Sequence, residues 1–189
     1  MVHKYKNIHQ ELIDDCRQGK TKAQFEIYQL YYKAMYNTSL RLVNDSAEAE
    51  DIMQEAFLSA FKNINNYKEE VSFGAWLKKI VVNRSLDSLK KRKIQKDPID
   101  DRVLTLEEED HNTDANDIAQ EVAEVKQAIA LLSQNYRTLI TLHLIEGYDH
   151  EEVAEILNIS NAAVRTGYSR ARKKLQELIK RKKTGIWMN

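Results

Sequence analysis

Proline occurs once, glycine five times and cysteine once in 189 residues. With so few breakers and few β-branched alternations, the chain cannot punctuate a sheet of short strands, so an all-helical protein is expected. The lone Cys16 excludes an internal disulfide framework, fits a reducing compartment and has a small apolar filler as its default role. No secretory signal is visible and no apolar run is long enough to span a bilayer. A soluble cytoplasmic protein without membrane insertion is therefore expected. The five histidines, His3, His9, His111, His143 and His150, show no metal-ligand spacing. P-loop, nucleophile elbow and convincing paired carboxylates are all missing, so an enzyme is the least supported class. No catalytic residue, metal or cofactor is expected.

Net charge is missing too, since 29 basic side chains balance 29 acidic ones. Its distribution is uneven. Residues 1–96 carry 17 basic and 12 acidic side chains (+5), residues 97–125 carry 1 and 11 (−10), and residues 126–189 carry 11 and 6 (+5). Two basic lobes around an acidic segment suggest electrostatically distinct partners. The expected architecture is two small helical domains, 1–96 and 126–189, joined by an acidic linker over 97–125.

In chain order, a first helix is expected over 8–17, ended by Gly19. Thr21 with Gln24 reads as a capping box for a long helix to about Val43. On it Phe25, Tyr28, Tyr32, Tyr36 and Leu40 form an aromatic stripe assigned to the core. Asp45 with Glu48 caps the next helix, whose Ile52, Ala56 and Ala60 face inward. Glu48, Glu50, Asp51, Gln54 and Glu55 crowd its start, where the helix dipole alone favours carboxylates. A polar loop with Tyr67 follows over 65–71. Ser72 then caps a helix to about Lys93, apolar on two sides and ending in Lys90-Lys91-Arg92-Lys93. Aromatics near cations suit unpaired bases, although such rings equally serve as core.

Pro98 ends this lobe. Residues 97–113 lack periodicity and are too acidic to bury themselves, so they read as a linker. Residues 116–132 look helical, and Ser133 is expected to cap a helix that Gly147 ends. Asp149 and Glu152 form a capping box, with Val153, Ala154, Ile156 and Leu157 on the buried face of that helix. Asn158 suits the left-handed end of a helix, Ile159 is expected to dip into the core, and Ser160 caps the next helix. Two short helices across so tight a turn read as a helix-turn-helix. On the second, Val164, Tyr168, Ala171 and Leu175 fall on one side. Ala162, Thr166, Ser169 and Lys173 fall on the other, flanked by Arg165, Arg170 and Arg172. Small residues, hydroxyls and cations on one face suit a helix entering a major groove. A solvated amphipathic helix is the plainer alternative.

The run Leu144-Ile145-Glu146-Gly147-Tyr148, the stretch 152–160, and Val164-Arg165-Thr166 with residues 169–175 resemble the C-terminal domain of bacterial sigma factors. The extracytoplasmic-function group of the sigma-70 family is the most similar. Ser133, Ala162-Ala163 and Gly167 stand where that family usually has Pro, Gly-Thr and Arg. Ala49-Glu50-Asp51-Ile52-Met53-Gln54-Glu55-Ala56-Phe57 resembles the segment that docks on the polymerase clamp coiled coil. Trp76-Leu77, Ile80, Asn83, Asp87 and Lys90-Lys91 match the helix that melts and reads the minus-ten element.

The resemblance implies a sigma factor that binds core RNA polymerase through clamp and flap, recognises promoter DNA and opens it. It implies polymerase contacts at Asp51, Gln54 and Phe57. Minus-ten contacts fall at Tyr67, Asn83, Asp87, Lys90 and Lys91, with the 65–71 loop accepting a flipped base. Minus-thirty-five contacts fall at Arg165, Thr166, Ser169, Arg170 and Lys173. An anti-sigma factor is an expected partner, and the acidic linker would thread the polymerase cleft. The competing reading is a dimeric helix-turn-helix regulator that binds duplex DNA without polymerase, which leaves the N-terminal lobe unexplained.

Overall fold

The computed structural model describes residues 7–95 and 117–183. The 97–113 acidic stretch expected to be a linker lies outside the described residues. The chain divides into two compact units, Met1–Asp97 and Pro98–Asn189. Among the described residues no helix is long and apolar enough to cross a membrane.

The first unit holds α1 (Gln10–Arg17), α2 (Thr21–Val43), α3 (Ser46–Lys62) and α4 (Phe73–Gln95), with a short 3₁₀ turn at Ile64–Asn66. Gly19, at φ 76°, turns the chain between α1 and α2, and Asn44, at φ 56°, ends α2 in the left-handed region that asparagine tolerates. Asp45 caps α3 by accepting from Glu48 N at 2.9 Å. Ser72 caps α4 through the Ala75 amide at 3.2 Å. The expected Thr21–Gln24 box is absent: Thr21 already lies in the first turn, behind Lys20, and no side chain caps the helix.

α2 packs against α1, α3 and α4, and that crowding selects a different stripe from the aromatic one. Ile27, Met35 and Leu42 are buried together with the small Ala23 and Ser39. Tyr28, Tyr32 and Tyr36 flank the core half-buried, while Phe25 is 59 % exposed and is no core residue. Small side chains let the helices approach. Ser39 Oγ lies 3.1 Å from Ser85 Oγ of α4, so the polar contact made by close packing is satisfied.

The second unit holds α5 (Asp117–Ala130), α6 (Gln134–Leu139), a π-helical continuation at Ile140–Ile145, α7 (His150–Leu157) and α8 (Asn161–Lys183). α5 starts inside the segment assigned to the linker. Its Val122, Val125 and Ile129 recur at helical spacing, and Ile129 reaches the core. Ser133 makes no side-chain cap to α6. The buried Arg137 takes over the junction, donating through Nη1 to the Ala130 and Leu132 carbonyls at 3.0 Å each. Ala128, Ile140, Ala171 and Leu175 form the core of this unit. Each large aliphatic side chain so buried contributes about 1.5–3 kcal/mol.

Candidate nucleic-acid interface

The turn between α7 and α8 is fixed at both ends. Asp149 accepts from the Glu151 and Glu152 amides at 2.7 and 2.8 Å, and its own amide donates to Glu152 Oε2 at 2.8 Å. The whole expected capping box is therefore present, and such a cap contributes about 1 kcal/mol. Asn158, at φ 53°, ends α7, and the Ile159 amide closes on the Ala154 carbonyl at 3.0 Å. That closure turns the Ile159 side chain outward. It is 44 % exposed and does not dip into the core as expected. Ser160 Oγ accepts from Ala163 N at 3.2 Å and starts α8.

α8 then divides by face. Val164, Ala171 and Leu175 are buried, and Tyr168 packs beside them half-buried. Arg165, Thr166, Ser169, Arg170 and Lys173 are all exposed, as are the small Ala162 and Ala163 at the helix tip. The structure thus brings the five expected contact residues onto the solvent side of one helix. Gly167 sits between the faces. A Cβ there would stand 2.8 Å from Leu139 Cδ1, so the missing side chain lets α8 lie against Leu139.

Behind the helix tip lies a ring cluster that sequence patterning did not reveal. His143 stacks on His150 at 4.1 Å, and Tyr168 meets His143 edge-on at 4.4 Å. His143 Nδ1 lies 2.7 Å from the Tyr148 carbonyl. His150 Nε2 is buried without a hydrogen-bond partner among the described residues. Burial first, then the proximity of His143 and Arg165, hold the His150 imidazole below its ordinary pKa.

In the first unit, Asn83, Asp87, Lys90 and Lys91 are exposed along α4, opposite the buried Val81 and Ser85. Asp87 and Lys90 form an exposed ion pair at 3.7 Å. Tyr67 does not join this surface. It is 3 % exposed, with its ring 5.3 Å from Trp76 and 5.5 Å from Phe73. Its hydroxyl donates to the Val71 carbonyl at 2.6 Å. Burial first of all pushes the phenol pKa up. Tyr67 is therefore corrected from a contact to a brace beneath the loop, whose exposed side chains are Asn65, Asn66, Lys68, Glu70 and Val71.

On α3, Asp51 and Gln54 are exposed, whereas Phe57 is 3 % exposed and tilts against Tyr28 at 4.9 Å. Phe57 is likewise corrected, because its ring fills the core and offers no docking surface. The acids of α3 are divided. Glu55 pairs with Arg84 of α4 at 2.7 Å, and Glu48 is held by Arg92 and Ser88. Asp51 lines a cleft with Arg84, Asp87 and Lys91, so residues assigned to two different partners border one groove. The pairings were invisible in sequence because they join residues far apart in the chain. Among the described residues no group of three His, Cys, Asp or Glu is placed to hold a metal ion.

Residues 27–94 match the family model for Sigma-70 region 2, and residues 123–175 match that for Sigma-70, region 4. The chain is 31 % identical over 157 residues to the ECF RNA polymerase sigma factor SigM of Bacillus subtilis, covering 82 % of this chain and 94 % of that one. To SigW of the same organism it is 29 % identical over 180 residues, covering 89 % and 95 %. In fold it is similar to the sigma factor RpoE of Bartonella quintana, solved in complex with the anti-sigma factor NepR. The TM-score is 0.61 at 23 % identity, covering 82 % of this chain and 95 % of that one.

Proposed function

The chain belongs to the extracytoplasmic-function group of the sigma-70 family, and from that premise we propose how its two units divide the work. As a sigma factor it binds core RNA polymerase and directs promoter recognition and transcription initiation. In the proposed division, the second unit reads duplex DNA at the minus-thirty-five element through Arg165, Thr166, Ser169, Arg170 and Lys173. The first docks on the clamp coiled coil through Asp51 and Gln54. It then holds the separated minus-ten strand along Asn83, Asp87, Lys90, Lys91 and the 65–71 loop.

The observation that carries this reading is the outer face of α8. Two alanines at the tip permit close approach, hydroxyls reach base edges, and Arg170 and Lys173 offer cations. The exposed lysines of α4 support the single-strand assignment, since a backbone without its complement is tracked by cations. Asp87 needs a different rationale. It forms an exposed ion pair with Lys90 at 3.7 Å on the same face of α4. Phosphodiester chemistry then belongs to the polymerase, and the chain acts in the cytoplasm beside it. RpoE of Bartonella quintana is captured with an anti-sigma factor, and we infer a protein inhibitor of the same kind here.

A dimeric regulator accounts for the second unit alone and leaves the region 2 match unexplained. The deciding experiment adds purified chain to core polymerase with fragments of the host genome and sequences the run-off transcripts. Defined start sites preceded by two shared elements are expected. Binding to a palindromic duplex as a dimer, with no polymerase-dependent transcript, would overturn the assignment.

A further inference from the structure

α1 and the residues before it precede the region 2 match, which begins at residue 27, and sequence patterning gave them no function. They nonetheless hold the 67–73 segment. Arg17 Nη2 donates to the Tyr67 carbonyl at 3.0 Å, and Nη1 donates to Glu69 Oε1 and Asp14 Oδ1 at 2.8 Å each. Its guanidinium also lies 5.9 Å from the centre of the Tyr67 ring. Burial alone would lower the Arg17 pKa, but the hydrogen bonds to Glu69 and Asp14 outweigh it and hold the pKa raised. Asn7 Oδ1 accepts from Phe73 N at 2.8 Å and lies 3.1 Å from the Tyr67 hydroxyl. Glu69 stands at φ 61°, a left-handed conformation that costs a glutamate roughly 1–2 kcal/mol. Its carboxylate is turned inward, with the side chain 12 % exposed.

Two consequences combine. The loop is held at the Tyr67 carbonyl and the Glu69 carboxylate by a planar fork that reaches several acceptors at once. The Glu69 charge is also drawn under the loop and paired there, leaving Lys68 and Glu70 as the outward charges. A carboxylate released onto that face would repel a phosphate backbone.

We propose that Arg17, with Asn7 beside it, is a positioning residue for the strand-binding loop. It fixes the loop backbone and removes the charge of Glu69 from the face that Lys68 and α4 present to single-stranded DNA. This rests on the reading that the 65–71 loop and α4 engage the separated strand.

The test uses holoenzyme assembled from the full chain and core polymerase. The probe is a fluorescent single-stranded DNA pool randomised at six positions, titrated at three salt concentrations. Arg17→Met is expected to weaken binding by about 3- to 10-fold at low salt, the effect of one uncompensated charge near a phosphate. Affinity for core polymerase stays within about twofold, because α1 carries none of the residues assigned to that contact. The salt dependence flattens by about 0.7 in log–log slope, the value of one effective charge on a single strand. Adding Glu69→Gln to Arg17→Met removes the stranded carboxylate. It should return the slope to wild type and recover at least half of the lost affinity on a logarithmic scale.

That rescue separates positioning from mere misfolding, since it changes a charge and adds no contact to α1. Wild-type binding by Arg17→Met, or a loss whose slope is unchanged and which Glu69→Gln does not relieve, would overturn the proposal. Lys68→Ala and Asn83→Ala serve as controls for the reading beneath it. If both bind the pool like wild type, the strand does not cross this face and the proposal falls with that reading. If they weaken binding while Arg17→Met does not, the proposal alone fails.

Discussion

Gly167→Ala tests how α8 is seated. In an open helix this exchange stabilises by about 1 kcal/mol, the difference in helix propensity. Here the new methyl would lie 2.8 Å from Leu139 Cδ1, and Leu139 is itself buried. Relieving so short a contact forces Leu139 out of its place or tips α8 away, and overpacking of this size costs about 1–3 kcal/mol. The two effects leave a net loss of about 1 kcal/mol. For a unit of this size that corresponds to a fall of roughly 4–8 °C in unfolding temperature. The assay is hydrogen exchange of the α6–α8 amides in the full chain, supported by calorimetry. Shortening the neighbour with Leu139→Val should make Gly167→Ala nearly harmless, a coupling of about 1 kcal/mol between the sites. A gain of about 1 kcal/mol from Gly167→Ala, the same with leucine or valine at 139, would refute the packing argument.

Three other perturbations address the remaining surfaces. Asp51→Lys with Gln54→Ala should lower affinity for core polymerase about tenfold while leaving the circular dichroism spectrum intact, as loss of charge complementarity at an interface does. Arg170→Ala should lose about 1–3 kcal/mol at one base position of the upstream element, whereas Lys173→Ala should weaken every variant alike and reduce the salt slope by about one charge. Titration of single-base variants at several salt concentrations separates these outcomes. His150, with its folded pKa lowered, disfavours protonation in the folded unit. Its contribution to stability is complete above the unfolded value near 6.5 and is lost as pH falls through the lower folded value. The second unit should therefore destabilise as pH drops below about 6.5, and His150→Asn should flatten that dependence.

Sequence reading succeeded where the determinant was local. The caps at Asp45, Ser72, Asp149 and Ser160 join residues two or three apart, and each is present. The left-handed end at Asn158 follows from one side chain's tolerance. Periodicity identified faces but not neighbours. It put Phe25 inside, although α2 turns its small residues toward α4. The family pattern offered Phe57 and Tyr67 as contacts, although their rings close the core. The family pattern brought Asp51, Gln54 and the face of α8 to notice, and all are exposed. Long-range pairing remained hidden. Nothing in the spacing announces that Arg17 would reach Glu69, or Arg84 reach Glu55, across 52 and 29 positions of chain. Helix termini at Thr21 and Ser133 misled because a good capping residue was present and the fold used none.

The aromatic floor beneath the 65–71 loop has an optical consequence. Trp76 stands half-buried with its ring 5.3 Å from Tyr67 and 5.5 Å from Phe73. The chain has one other tryptophan, Trp187. In a Trp187→Phe background, the emission of a single indole would come from directly under the loop. Lifting Tyr67 would expose that indole to water, shifting its emission to the red and raising its sensitivity to acrylamide. Excitation transfer from Tyr67 would fall as the rings part. A native fluorophore thus tests the proposed engagement of this loop in promoter opening, in the same stopped-flow trace that tracks the DNA and without an attached dye.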